Sequence, residues 1–232
     1  MDSISRSNKK EENSIIEKTE SPDTALQDGE AAKAGKVIFL LGGARSGKSE
    51  YSEALSASLS PSNRVSYFAT GQIIDDEMKK RIDIHRKRRP PSWHTFEIDK
   101  SEIELADIER ILKGLKAEKM QVLLIDCITN LLFRLVYKYG LDDMEILANE
   151  LERKIEKEIT GFFKEFIGLL TKYCRQEGIH TVIVSNEVGM GLVPPYPFGM
   201  IFRDLLGSIN KSIASYSDEV FFFVAGLSLK MK

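Results

Sequence analysis

Eight consecutive residues, Gly42-Gly43-Ala44-Arg45-Ser46-Gly47-Lys48-Ser49, satisfy the pattern GxxxxGK[ST] at every fixed position. Glycines at these places let the backbone wrap round phosphate oxygens with its N–H groups pointing inward, and the helix that follows adds partial positive charge. Lys48 is the natural partner of β- and γ-phosphate oxygens, and Ser49 offers Mg²⁺ a hard hydroxyl ligand. The expected ligand is a nucleoside triphosphate, ATP or GTP, with Mg²⁺. The loop fixes the ligand class without naming the acceptor, because switches, motors and kinases share it.

A second carboxylate site is suggested by Val122-Leu123-Leu124-Ile125-Asp126, four apolar residues that bury a strand and an acid that emerges at its end. Asp126 there is placed to hold Mg²⁺. The competing reading is an Asp that caps the next helix. The guanine signature NKxD is missing, since Asn210-Lys211 is followed by Ser212-Ile213, which argues against a switch GTPase.

From Asp75 to Arg89 the chain reads as a helix, acidic at its start (Asp75, Asp76, Glu77) and basic at its end (Arg86, Lys87, Arg88, Arg89), as the helix dipole prefers, and Pro90-Pro91 stops it. His85 sits in the last turns. Two readings fit it. One is an incidental histidine on a solvated cationic helix end. The other is a nucleophile: a neutral imidazole attacks an α-phosphate, pyrophosphate leaves, and the phosphoramidate is passed to a second phosphate, with the nearby cations stabilising the transferring group. His94 and His180 make weaker candidates, and His180 reads as the structural start of a strand. Glu97 closes the strand-like segment Trp93 to Phe96, where its carboxylate either accepts hydrogen bonds from a guanine edge or a ribose hydroxyl, or is merely exposed.

These groups need a frame. Val37 to Leu41, Val65 to Phe68, Val122 to Ile125, Thr181 to Val184 and Val220 to Val224 are short, β-rich and apolar, as buried parallel strands are. Helical spacing appears at Glu50 to Leu59. It is clearest on a long helix beginning at Asp142 or Asp143, with Leu147, Leu151, Ile155, Ile159, Phe162, Phe166 and Leu170 on one face. Strands alternating with helices predict an α/β fold of the P-loop NTPase type, a mostly parallel sheet flanked by helices on both faces. In such sheets ligands lie at the carboxyl ends of the strands. Asn186-Glu187-Val188-Gly189-Met190-Gly191, with Pro194, Pro195 and Pro197 after it, is therefore expected as a shaped loop over the site, the plain alternative being an ordinary turn.

Across 232 residues the composition is that of a globular protein, 42% hydrophobic and 29% charged, with a net charge of -2 that argues against a bulk nucleic-acid binder while leaving a local basic cluster free to bind phosphate groups. Two cysteines, Cys127 and Cys174, are too few for a disulfide framework, and a zinc site is not expected either. The N-terminus lacks a secretory pattern, so a cytoplasmic location is expected. The apolar run Val220 to Ala225 is far short of the ~20 residues that span a bilayer, and no membrane segment is predicted. Residues 1–34, rich in Ser, Glu, Lys and Asp, are expected to form a disordered polar extension, or alternatively a tail that docks on another subunit. Residues 35–232 are expected to form the nucleotide-binding domain.

Taken together, GGARSGKS (42–49), ATGQIIDDEM (69–78), RIDIHRKRRPPSW (81–93), LLIDCITNLL (123–132), SNEVGMGLVP (185–194) and FRDLLGSIN (202–210) resemble the bifunctional adenosylcobinamide kinase / adenosylcobinamide-phosphate guanylyltransferase family of cobalamin biosynthesis. The resemblance runs from Lys36 to Lys232. It implies phosphorylation of the aminopropanol hydroxyl of adenosylcobinamide with ATP or GTP, then GMP transfer from GTP to that phosphate through a guanylylated histidine, which His85 matches. It also implies nucleotide contacts at Ala69, Thr70 and Gly71, at Arg86, Lys87, Arg88 and Arg89, at Glu97 and at Asp126. The family often has Glu at the position of Asp126. The implied partners are a corrinoid and nucleotides, with no nucleic acid, in a homo-oligomer whose expected state is a trimer. From the residues alone, a nucleotide-dependent regulatory module and a kinase for another small alcohol remain as alternatives.

Overall fold

Five apolar runs become strands in the computed structural model, which describes residues 34–72, 76–98, 103–138 and 149–232. They are β1 (Val37–Gly42), β2 (Val65–Ala69), β4 (Val122–Asp126), β5 (His180–Asn186) and β6 (Glu219–Val224). The strand-like segment after Trp93 is β3 (His94–Glu97), and β7 (Leu227–Lys230) completes a seven-stranded sheet in the order β3-β2-β4-β5-β1-β6-β7. All pairings are parallel except β6 with β7. β7 was not anticipated. Its signal is Gly226: Ala225 and Gly226 both have positive φ (52° and 82°), which makes the tight two-residue turn that folds the chain back on β6.

The helices are α1 (Lys48–Leu59), α2 (Asp76–Arg88), α3 (Leu105–Ala117), α4 (Ile128–Lys138), α5 (Asn149–Glu177) and α6 (Pro197–Tyr216). Alternate strand residues feed two cores. Val37, Phe39, Leu123, Ile125 and Ile183 pack with α3, α4, α5 and α6 on one face. Ile38, Leu40, Leu124, Val182 and Val184 pack with Tyr51, Leu55 and Leu59 of α1 on the other. Helices thus cover both faces of a mostly parallel α/β sheet. A single handedness of crossover explains the division, since the step from β1 toward the β3 edge needs the face opposite to the steps that return toward β7. Neighbouring β1 and β5 therefore send their chains to opposite faces, which opens a crevice at their carboxyl ends, where Gly42 lies in register with Asn186.

On α5 the buried stripe is Ile155, Ile159, Phe163, Phe166 and Leu170. Phe163 takes the core position expected of Phe162, which is only partly buried against that core. Both residues lie near the same helical stripe, and the helix rotation decides between them. The expected helix start at Asp142 or Asp143, Leu147, the side chain of Leu151, Asp75 and the polar extension over residues 1–33 lie outside the described parts. Among the described residues no helix is long and apolar enough to cross a membrane.

Candidate active site

The loop between β1 and α1 is shaped by close approach. A Cβ on Gly42 would meet the carbonyl oxygen of Phe223 in β6 at 2.3 Å, so only glycine lets the two strands run this close. Gly47 has φ 93° and directly precedes α1, a left-handed conformation that aims the following N–H groups into the loop. Lys48 is buried, and its Nζ donates to the carbonyls of Gly42 (2.9 Å) and Gly43 (2.6 Å) and to Ser46 Oγ (3.3 Å). Burial pushes its ammonium below the usual lysine range, opposed by the negative charge of Asp126.

That loop forms one wall of a cleft of about 780 Å³ at the carboxyl ends of the strands. Ala44, Arg45, Ser46, Gly47, Lys48 and Ser49 line it, whereas Gly42 and Gly43 do not. The floor comes from strand ends held level by register: Glu97 of β3 and Asp126 of β4 both pair with Ala69 of β2. Ala69, Gly71, Glu97 and Asp126 line the cleft. Thr70 does not. It is fully buried, and its hydroxyl donates to the Cys127 carbonyl (2.7 Å), tying the end of β2 to β4. Of the segment 186–197, Asn186 alone lines the cleft; the expected loop over the site instead exposes Met190 and Leu192 away from it. The carbonyl of Asn186 is held by Asn210 Nδ2 (3.0 Å) and its N–H donates to Thr129 Oγ1 (3.0 Å), which aims the rest of the loop elsewhere.

The opposite wall is the end of α2. His85 is one-third exposed, and its Nδ1 lies 3.8 Å from Asp126 Oδ2, 4.0 Å from Glu53 Oε1 and 3.2 Å from Arg88 Nη2. Instead of the purely cationic setting expected from sequence, the ring faces two carboxylates and one guanidinium, because α1 and β4 bring their acids to the same place. The four basic residues after His85 have separate fates. Arg88 bridges Glu50 (2.7 Å) and Glu53 (3.2 Å) of α1. Arg89 is buried, stacks 3.8 Å over the Tyr67 ring, and donates to the His85 carbonyl (3.2 Å) and Thr95 Oγ1 (3.3 Å). Arg86 pairs with Glu97 at the rim (2.7 Å). Lys87 points to solvent and does not line the cleft.

Two side chains absent from the sequence reading complete the arrangement. Tyr67 donates its phenol to Asp126 Oδ2 (3.2 Å), and burial with the Asp126 charge pushes that phenol well above its usual range. Its signal was period two: it lies on the same strand face as Ala69. Glu53 follows Ser49 by one helical turn, which is the signal that it lies on the side of α1 facing His85 and Arg88. Cys127, next to Asp126, is a buried thiol pushed up to about 12 by burial, so it is no nucleophile here. Ser49 and Asp126 both open onto the cleft and both offer oxygen. That donor set fits Mg²⁺ held chiefly by phosphate oxygens and water, and among the described residues no cluster of three or more acids, histidines or cysteines forms an all-protein metal cage.

Residues 38–231 match the family model described as cobinamide kinase / cobinamide phosphate guanyltransferase. The chain is 37% identical over 200 residues to the bifunctional adenosylcobalamin biosynthesis protein CobU of Escherichia coli K12, spanning 84% of this chain and 99% of that one. It is 34% identical over 198 residues to CobU of Salmonella typhimurium LT2 (84% and 99%), and 36% identical over 196 residues to CobP of Pseudomonas aeruginosa PAO1 (84% and 96%). A KaiC-like protein of Pyrococcus horikoshii OT3 superposes with a TM-score of 0.43 at 14% identity, covering 82% of this chain and 71% of that one. With the family match running from the first phosphate-loop strand through β7, and three bifunctional relatives aligned over nearly their full length, this chain belongs to the cobinamide kinase / cobinamide phosphate guanyltransferase family.

Proposed function

We propose that this one cleft serves both reactions of the family: phosphorylation of the aminopropanol hydroxyl of adenosylcobinamide with ATP or GTP, then GMP transfer from GTP to give adenosylcobinamide-GDP and pyrophosphate. The observation that carries the reading is the convergence on Asp126, whose charge acts on Lys48 from one side and whose carboxylate lies 3.8 Å from His85 on the other. A loop built for a triphosphate and a histidine able to attack it thus open onto the same space.

In the kinase step Lys48 and the loop N–H groups hold the β- and γ-phosphates while the γ-phosphoryl group moves to the substrate hydroxyl. In the second reaction the His85 imidazole attacks the α-phosphorus of GTP, and the bond to the β-phosphate oxygen breaks with its electron pair leaving on pyrophosphate. The corrinoid phosphate then attacks the same phosphorus, the P–N bond breaks, and His85 is restored. Arg45 and Arg88 line the same cleft and supply positive charge to the transferring group. Mg²⁺, when bound through Ser49 and Asp126, supplies charge neutralisation for the phosphates. Gly71 and Ala69 leave room for the nucleoside, and Glu97 at the rim offers an acceptor to its ribose or base. Thr70 acts on the site through packing, while Arg89, packed on Tyr67, also lines the cleft.

Incubation with α-labelled GTP is expected to leave acid-labile GMP on the protein, located at His85 by mass spectrometry. His85→Ala abolishes the label and leaves kinase turnover, whereas Lys48→Ala lowers both rates by roughly a hundredfold or more. A wild-type protein that consumes adenosylcobinamide but never becomes labelled sinks the guanylyl-histidine step. The resemblance also implies a homotrimer, which light scattering checks. A cytoplasmic location follows from the need for ATP and GTP, and cell fractionation checks it.

A further inference from the structure

One carboxylate beside His85 has no part in the scheme above. Glu53 is 13% exposed at its side chain, against 70% for Glu50 one turn earlier on α1, although both meet Arg88. Burial raises the Glu53 carboxyl above the usual carboxylate range, with Arg88 and His85 acting in the opposite sense. A surface counterion for Arg88 needs no such depth, since Glu50 already supplies one at 2.7 Å.

The tautomer of His85 gives that depth a purpose. A neutral imidazole attacks phosphorus through a nitrogen lone pair, so its ring proton must sit on the other nitrogen. Arg88 Nη2 lies 3.2 Å from His85 Nδ1. A guanidinium only donates, so in this arrangement Nδ1 is an acceptor and the neutral ring carries its proton on Nε2. Neither nitrogen then offers a free pair. Replacing Arg88 at Nδ1 by a carboxylate reverses the tautomer. Two carboxylates are within reach, Asp126 at 3.8 Å and Glu53 at 4.0 Å. Asp126 Oδ2 already accepts the Tyr67 hydroxyl. Glu53 is held by Arg88 itself, and is released when that guanidinium turns to phosphate.

We propose that Glu53 is the positioning residue for His85: once Arg88 turns to the triphosphate, Glu53 accepts Nδ1–H and presents the Nε2 lone pair to the α-phosphorus. The inference rests on the guanylyl-transfer reading above. As the Nε2–Pα bond forms and pyrophosphate leaves with the electron pair of the broken Pα–O bond, the Nδ1 proton stays on the ring. The positive charge that develops on the imidazole then faces Glu53, and it is cancelled when the corrinoid phosphate displaces Nε2.

Rapid-quench incorporation of GMP from α-labelled GTP, with kinase turnover measured on the same preparations, tests the assignment in wild type, Glu53→Gln and Glu50→Gln. Glu53→Gln is expected to slow incorporation roughly tenfold to a hundredfold while kinase turnover stays within about twofold. Glu50→Gln, which removes the shorter Arg88 contact, is expected to leave incorporation within about twofold of wild type. Long-range proton–nitrogen spectra of the chain, which has 3 histidines, report the His85 tautomer with a non-hydrolysable GTP analogue bound: Nδ1–H in wild type and its loss in Glu53→Gln. Equal slowing by Glu50→Gln overturns the proposal, because the effect then runs through Arg88. So does equal slowing of both reactions by Glu53→Gln, or an Nε2–H tautomer in the nucleotide-bound wild type. Normal incorporation in Glu53→Gln removes this proposal alone, whereas an unlabelled wild type removes the reading beneath it.

Discussion

Lys48 donates to Gly42, Gly43 and Ser46, none more than six positions away, whereas Arg86 and Arg88 on the histidine helix bond to carboxylates 11 to 38 positions away. The two walls of the cleft are thus built by different means. The phosphate loop carries its own instructions, in a left-handed Gly47 and a lysine that closes on its own backbone. The end of α2 has almost none. Its position depends on contacts with α1, β2 and β3, and most of its ties are partly exposed ion pairs, each worth about 0–1 kcal/mol. The lesson is mechanical: a wall fixed by local backbone stays put, and a wall held by exchangeable charges can re-pair when a triphosphate supplies new anions.

Disturbing the strand from which the local wall hangs has the largest expected effect on the fold. Gly42→Ala places a methyl group 2.3 Å from the Phe223 carbonyl oxygen, a contact that backbone must relieve by moving β1 from β6. The expected loss is about 3 kcal/mol, at the upper end of overpacking costs, which for a chain this size lowers Tm by roughly 6–12 °C. Nucleotide affinity falls with it, because the loop hangs from that strand. A Tm within about 2 °C of wild type in thermal denaturation contradicts the close-approach argument.

The long-range wall is tested next at Arg89. Its guanidinium is buried against the Tyr67 ring and bonds to the His85 carbonyl, so it pins the helix end from beneath. Arg89→Ala is expected to cost about 2 kcal/mol from lost stacking and an abandoned carbonyl, and to slow guanylylation more than kinase turnover. Arg89→Lys separates packing from charge. A lysine keeps the charge but lacks the planar fork, so failure to restore guanylylation identifies stacking as the function. Full restoration makes Arg89 a simple phosphate cation.

How much of this was legible in the sequence follows the same division. The phosphate loop, the five apolar strands and the acid ending β4 were readable because each is a property of a few adjacent residues. Asp126 and Ala69 fall level because their strands pair, which the strand pattern permits but does not dictate. The environment of His85 was read as cationic because only its own helix is adjacent in sequence. Glu53 and Asp126, which face its ring, come from elements a linear reading does not bring together. Arg89 illustrates the same limit, since nothing in a run of four basic residues says which one turns inward. Phe163 replaced Phe162 in the core for a related reason: a stripe predicts a face, and neighbouring helices choose its centre.

The smallest expected effects belong to the rim pair, Arg86 and Glu97, whose side chains are 59% and 42% exposed. Arg86→Ala and Glu97→Gln are each expected to change stability by less than about 1 kcal/mol, which thermal denaturation resolves as a shift of no more than a few degrees. Their value lies in what separates them. If the pair only ties α2 to β3, the two variants weaken guanylylation equally and leave GTP affinity alone, since either removes the same bond. If Glu97 also accepts a hydrogen bond from the ribose or the base, Glu97→Gln loosens GTP binding by calorimetry while Arg86→Ala does not, because removing the guanidinium frees the carboxylate for the nucleotide. A carboxylate-specific loss places Glu97 on the substrate, and equal behaviour makes it one more long-range strut for the histidine helix.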